Sequence, residues 1–97
     1  MVTSMPADLS EKVERYEDML KRALKKAKYA PIPESHMYAV AEDYYTMAEA
    51  YYKDGIYFLE SGDPVNALAS FSYGHAWLDA GAKLGVFAVD DETLFTI

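Results

Sequence analysis

The chain contains no cysteine, so disulfides, thiolate zinc sites and thiol catalysis are excluded at the outset. It has no apolar run approaching the ~20 residues that a membrane span requires. Its start, MVTSMPADLSEK, lacks the basic opening and apolar stretch of a secretory signal. A cytoplasmic location, with no membrane partner, is therefore the expectation. Cations are scarce past residue 28: Lys53 and Lys83 stand against eleven acids, whereas residues 1–28 hold seven Lys/Arg against five acids. Phosphate recognition needs clustered positive charge, so a nucleic-acid footprint is not expected over most of the surface. One basic cluster remains: Lys21, Arg22, Lys25, Lys26 and Lys28. Cations in the last turns of a helix complement the negative end of its dipole. The same cluster is the candidate contact for a phosphate or another anionic partner.

What is present reads as one small domain over residues 1–97, with a 52% hydrophobic share that is ample for a single core. Leu9, Val13, Tyr16, Leu20, Ala23/Leu24 and Ala27 recur at spacings of three and four, which predicts a first helix over about 8–29, capped by Asp8 or Ser10. The two prolines of "APIP" (30–33) then end it. A second helix is expected over about 34–61, its seam reading Met37, Ala41, Tyr44, Ala48, Tyr51, Gly55 and Phe58. In "SGDP" (61–64), Gly62 stops that helix, Asp63 caps the next and Pro64 fills its first position. So short a connection makes helices two and three an antiparallel hairpin.

The third helix is expected over 64–84, ending at Gly85, with Ala67, Phe71, Gly74, Leu78 and Gly81 as its seam. Small residues alternate with large ones on both seams, which lets two backbones approach while aromatic rings fill the spaces opposite. A glycine inside a helix costs about 1 kcal/mol relative to alanine, so close packing is the physical reason for Gly55, Gly74 and Gly81. The tail, 85–97, carries Val86, Phe87, Val89, Leu94, Phe95 and Ile97. It is too apolar to remain free, and is expected to dock as an extended segment or as a short helical turn starting at Asp90.

Residues 51–74 are similar to a single tetratricopeptide repeat in the placing of Tyr51, Gly55, Phe58, Ala67, Phe71 and Gly74. Such repeats need neighbours, so one copy reads as shared hairpin packing. "YYKDGIYFLESGDPVNALASFSYGHAWLDAGAKLGVF" (51–87), with the ending "LFTI", resembles the small archaeal proteins of domain of unknown function 357. That pattern has a Tyr-Tyr-rich second helix, a Gly-Asp turn, then Ser-Tyr-small-His-small-Trp-Leu-Asp-Ala-Gly. The resemblance implies a three-helix bundle with a left-handed twist, and implies no activity.

Three groups of residues carry chemistry. Ser72, His75 and Asp79 share one stripe of the third helix. Nucleophilic catalysis needs a base that reaches its nucleophile and an oxyanion hole, which neighbours on one straight helix do not supply. A hydrogen-bonded polar cluster, with His75 and Asp79 an i, i+4 pair, is the plainer expectation, and a small-ligand binder or enzyme centred there is an alternative. No Glu-x-x-His occurs, so neither a metal nor any other cofactor is expected. Tyr38, Tyr45 and Tyr52 follow one another at sevens beside the seam, where a ring with a polar tip suits either a boundary against the first helix or an interface. Finally, Asp79 and Lys83 are the only charges between Pro64 and Gly85, while Tyr73, Trp77, Ala80 and Leu84 line one flank. A surface helix normally shows a polar face. This flank therefore needs cover from the tail, a second copy or a partner.

These observations give an all-α protein: an antiparallel three-helix bundle with an apolar C-terminal tail packed on it. The expected role is non-enzymatic, as an intracellular interaction module or subunit using Tyr38, Tyr45 and Tyr52 or the Tyr73–Trp77 flank. A nucleic-acid accessory protein acting through Lys21–Lys28 is the other alternative.

Overall fold

The computed structural model describes residues 8–95; residues 1–7 and 96–97, with Ile97 of the predicted tail, lie outside that range. Three helices form the body: α1 (Leu9–Lys26), α2 (His36–Glu60) and α3 (Pro64–Leu84). They pack on one another, and two short strands, β1 (Lys28–Tyr29) and β2 (Phe87–Ala88), pair antiparallel beside them. The molecule is thus essentially all-α, with a small sheet that the periodicity did not predict.

Local chemistry sets most boundaries. Asp8 caps α1, its carboxylate accepting from Glu11 N at 3.3 Å. Ser35 caps α2 through Tyr38 N at 3.1 Å. Asp63 serves two helices at once. Its backbone N–H closes α2 on the Phe58 carbonyl at 2.8 Å, next to Gly62 at φ 77°, and its carboxylate caps α3 on Asn66 N at 3.1 Å. Gly85, at φ 89°, ends α3 with its own N–H and that of Val86 on the Gly81 carbonyl, both at 3.0 Å.

The seams meet as expected at their centre. Ala41, Ala48 and Gly55 of α2 and Ala67, Phe71, Gly74 and Leu78 of α3 are buried, and Leu20 and Ala23 of α1 close the core above them. Gly74 is where all three helices touch: a Cβ there would lie 2.8 Å from Leu20 Cδ2 and 3.1 Å from the Ala48 carbonyl oxygen. Two seam residues behave otherwise. Met37, in the first turn of α2, is 37% exposed and takes no place in the buried seam. Gly81 makes room for the tail, since a Cβ there would enter the Phe87 ring.

The first helix is shorter than its periodicity predicts. It ends at Lys26, and Ala27 turns extended at ψ 123°. Lys28 then pairs with Ala88 and Tyr29 with Phe87, and Ala30 N–H donates to the Val86 carbonyl at 2.9 Å. Tyr29 comes to rest among Tyr38, Tyr45 and Phe87, with ring centroids 5.1 to 6.1 Å away. One further helical turn at positions 27–29 offers less than these contacts. The tail docks in both of its expected forms, extended at Phe87–Ala88 and then as a turn in which Leu94 and Phe95 N–H donate to the Asp91 carbonyl at 3.2 and 3.0 Å. Val86, Phe87, Leu94 and Phe95 are buried by it.

Candidate functional site

The third helix divides its sides between two kinds of surface. On the side facing α1 and the tail, Ser72, His75 and Asp79 line an open cleft of about 650 Å³, whose other walls are Tyr16 and Met19 of α1 and residues 92–95 of the tail. His75 is mostly covered. Its Nε2 contacts the Leu94 carbonyl, and a carbonyl only accepts, so Nε2 carries the proton. Asp79 Oδ1 stands 3.9 Å from the same nitrogen, and the Phe95 ring lies 6.3 Å from the imidazole. Nε2, protonated and turned to the tail, is not available as a base. Among the described residues no hydrogen bond joins Ser72 to His75, so the three do not assemble as a nucleophile and its base. Nor does any group of three or more His, Asp or Glu among the described residues suit a metal ion.

The predicted tyrosine stripe is spent largely inside the molecule. Tyr45 donates its hydroxyl to the Leu24 carbonyl at 2.8 Å and Tyr52 donates to Glu17 Oε2 at 3.1 Å, both bonds running from α2 to α1. Tyr38 packs edge-on against Tyr29. Burial pushes the phenols of Tyr29, Tyr45 and Tyr52 above their ordinary titration range, with Glu42 next in effect on Tyr29, Glu49 on Tyr45 and the Glu17 hydrogen bond on Tyr52.

A neighbouring side of α3 stays open. Ala69, Tyr73, Ala80 and Leu84 are exposed along one stripe, with Trp77 half-buried between them. Tyr73 is 61% exposed, with its ring 5.7 Å from Tyr51, and Trp77 stands edge-on to Tyr44 at 4.9 Å. Met47, a helical turn from both Tyr44 and Tyr51, extends the apolar surface onto α2. The tail covers the other flank of α3, at Gly81 and His75, and leaves this one uncovered. Sequence reasoning singled out Tyr73 and Trp77 from the lack of charge around them. It missed Tyr44, Tyr51 and Met47, which the heptad pattern assigns to the seam or ignores; which seam residues turn partly outward depends on where α1 lies.

Two members of the basic cluster are engaged in ion pairs, and one lies outside the helix. Lys26 is held by Asp91 of the tail at 3.2 Å, Arg22 pairs with Asp18 at 3.6 Å, and Lys28 has left the helix for β1. Lys21 lies beside Glu14, Glu17 and Asp18. Lys25 is exposed in the last turn of α1, as the helix dipole favours.

The model of a family described as protein of unknown function (DUF357) matches residues 15–87, from the first turns of α1 to the first residue of β2. No curated protein and no solved structure matches the chain.

Proposed function

The chain belongs to the DUF357 family of proteins of unknown function, and on that footing we propose that it is a non-enzymatic, cytoplasmic interaction module whose docking surface is the aromatic face of the α2–α3 hairpin. One observation carries this reading: the outward stripe of α3 is apolar and exposed although the tail is docked. Tyr73, Trp77 and Leu84 on α3 and Tyr44, Met47 and Tyr51 on α2 form its centre. Aromatic residues and Met are the types enriched at protein interfaces, and an exposed contiguous apolar patch is their usual mark. Asp43 and Asp54, exposed one and two turns along α2 from Met47, give the patch an acidic edge. The matching surface would carry an apolar centre and a basic rim.

The test compares affinity capture by the natural chain with capture by Tyr73→Ser/Leu84→Ser, both exposed positions whose change leaves the core intact. The reading expects a protein recovered by the natural chain and lost with the double variant, while a Lys25→Ala/Lys28→Ala variant still recovers it. Equal recovery by the natural chain and the face variant overturns it.

A further inference from the structure

The C-terminal tail meets the bundle as a bound peptide would, held on a short tether. We propose that two copies of the chain exchange it, each laying residues 86–95 on the other in place of its own. The proposal does not rest on the interaction reading, because Tyr73 and Trp77 take no part in docking the tail.

The contacts are those by which a sheet edge and a groove take up a peptide. Ala88 and Phe87 pair with Lys28 and Tyr29, the Phe87 ring fills the notch at Gly81, the Leu94 carbonyl accepts from His75 Nε2, and Asp91 pairs with Lys26 at 3.2 Å. Most of this segment lies beyond the residues that the family model covers, which end at Phe87. Each contact is reproduced when the tail comes from a second copy. The closed and exchanged forms then differ only at the hinge, in the cost of association and in the new surface that two copies bury. The hinge is Gly85. It is exposed, stands at φ 89°, and open space surrounds the position a Cβ would take. Glycine adopts either sign of φ at little cost, so the chain can leave α3 there in another direction.

Charge and apolar surface both favour a second copy as the partner. The tail carries Asp90, Asp91 and Glu92 in succession, while Lys25 and Lys26 end α1 and Lys28 opens β1, the elements that receive it. Copies of a chain with net charge −7 repel one another in general, but here opposite charges meet. Ile32 and Leu84 are 78% and 51% exposed, and each lies two residues from the Ala30–Val86 hydrogen bond, where the tail leaves α3. Exchange brings a second copy to this end of the bundle and covers them. A short tether holds the tail at a local concentration on the order of a millimolar, so exchange competes with closure as the chain approaches that concentration.

Because the chain has no cysteine, introduced thiols test this directly. Lys28 and Ala88 are exposed cross-strand partners, and opposed residues of an antiparallel pair stand within the Cα separation that a disulfide spans. A Lys28→Cys chain is mixed with an Ala88→Cys chain, equilibrated at millimolar concentration and oxidised. Exchange alone brings these two thiols together in register. Covalent heterodimer is expected at about tenfold the yield of a control mixture, Lys28→Cys with Tyr57→Cys, whose second thiol lies at the far end of α2. The yield should fall on dilution, while a Lys28→Cys/Ala88→Cys chain still closes within itself. A second measurement needs no substitution: a mixture of isotope-labelled and unlabelled natural chains should give intermolecular NOEs between the Phe87 ring and Gly81. Heterodimer no more abundant than in the control mixture, or no intermolecular Phe87–Gly81 NOE at the same concentration, overturns the exchange.

Discussion

A Cβ added to Gly55 would enter the ring of Phe71, which is wholly buried and has nowhere to move. Replacing a mid-helix glycine with alanine ordinarily gains about 1 kcal/mol of stability. Here overpacking reverses the sign, and Gly55→Ala should lower stability by about 2 kcal/mol, read from the midpoint of urea unfolding. The tyrosines give a second expectation at this scale. Tyr45 is held to α1 by its hydroxyl bond to Leu24, and Tyr45→Phe should lose about 1 kcal/mol with the fold unchanged. Burial raises the phenols of Tyr29, Tyr45 and Tyr52 above 10.0. Their contribution to stability is thus full below that pH and is lost as pH climbs through the raised folded values. Phenolate absorbance should show these three titrating late, followed by unfolding. The small residues of the seam were legible in the sequence because their spacing repeats. The role of Gly81 was not, because the ring that fills its space, Phe87, belongs to the tail.

At the scale of an element, the C-terminal segment behaves as a strap with identifiable fastenings. Asp91 accepts from Thr93 N–H at 2.9 Å and from the Thr93 hydroxyl at 2.6 Å, and pairs with Lys26 at 3.2 Å. The Thr93 hydroxyl and Lys26 together pull its carboxyl down from 3.8 to about 2. A depressed carboxyl stabilises its surroundings above the unfolded value, and that contribution fades as pH falls through the folded value. Amide protection of Thr93–Phe95 should therefore be constant near neutrality and decline between about pH 4 and pH 2, and Asp91→Asn should remove the dependence. The boundaries of α3 were readable because Gly62, Asp63, Pro64 and Gly85 fix them locally, and Asp63→Ala should cost about 1 kcal/mol with loss of the cap. The end of α1 was not readable. Positions 27–29 keep a helical pattern, and only pairing with a strand nearly sixty residues away turns them extended.

The whole molecule is a hairpin with α1 and the tail on one side and an uncovered aromatic face on the other. Three helices suffice to close a core around Leu20, Phe71 and Leu78 but not to cover both sides of α3. That imbalance was legible as a helix with two charges in twenty-one residues. Which flank would remain open was not, since it follows from the side the tail takes. The cleft was half legible: Ser72, His75 and Asp79 declare a stripe, whereas Tyr16, Glu92 and Thr93 join it only through the fold.

The most direct measurement is site-specific photo-crosslinking in living cells, with a photoreactive phenylalanine placed at Tyr73 and, separately, at Tyr57, which is equally exposed but lies near the α2–α3 turn. The account predicts one discrete protein adduct from position 73 and none from position 57. Adducts from both positions alike, or none from position 73, would contradict a docking face on the α2–α3 hairpin.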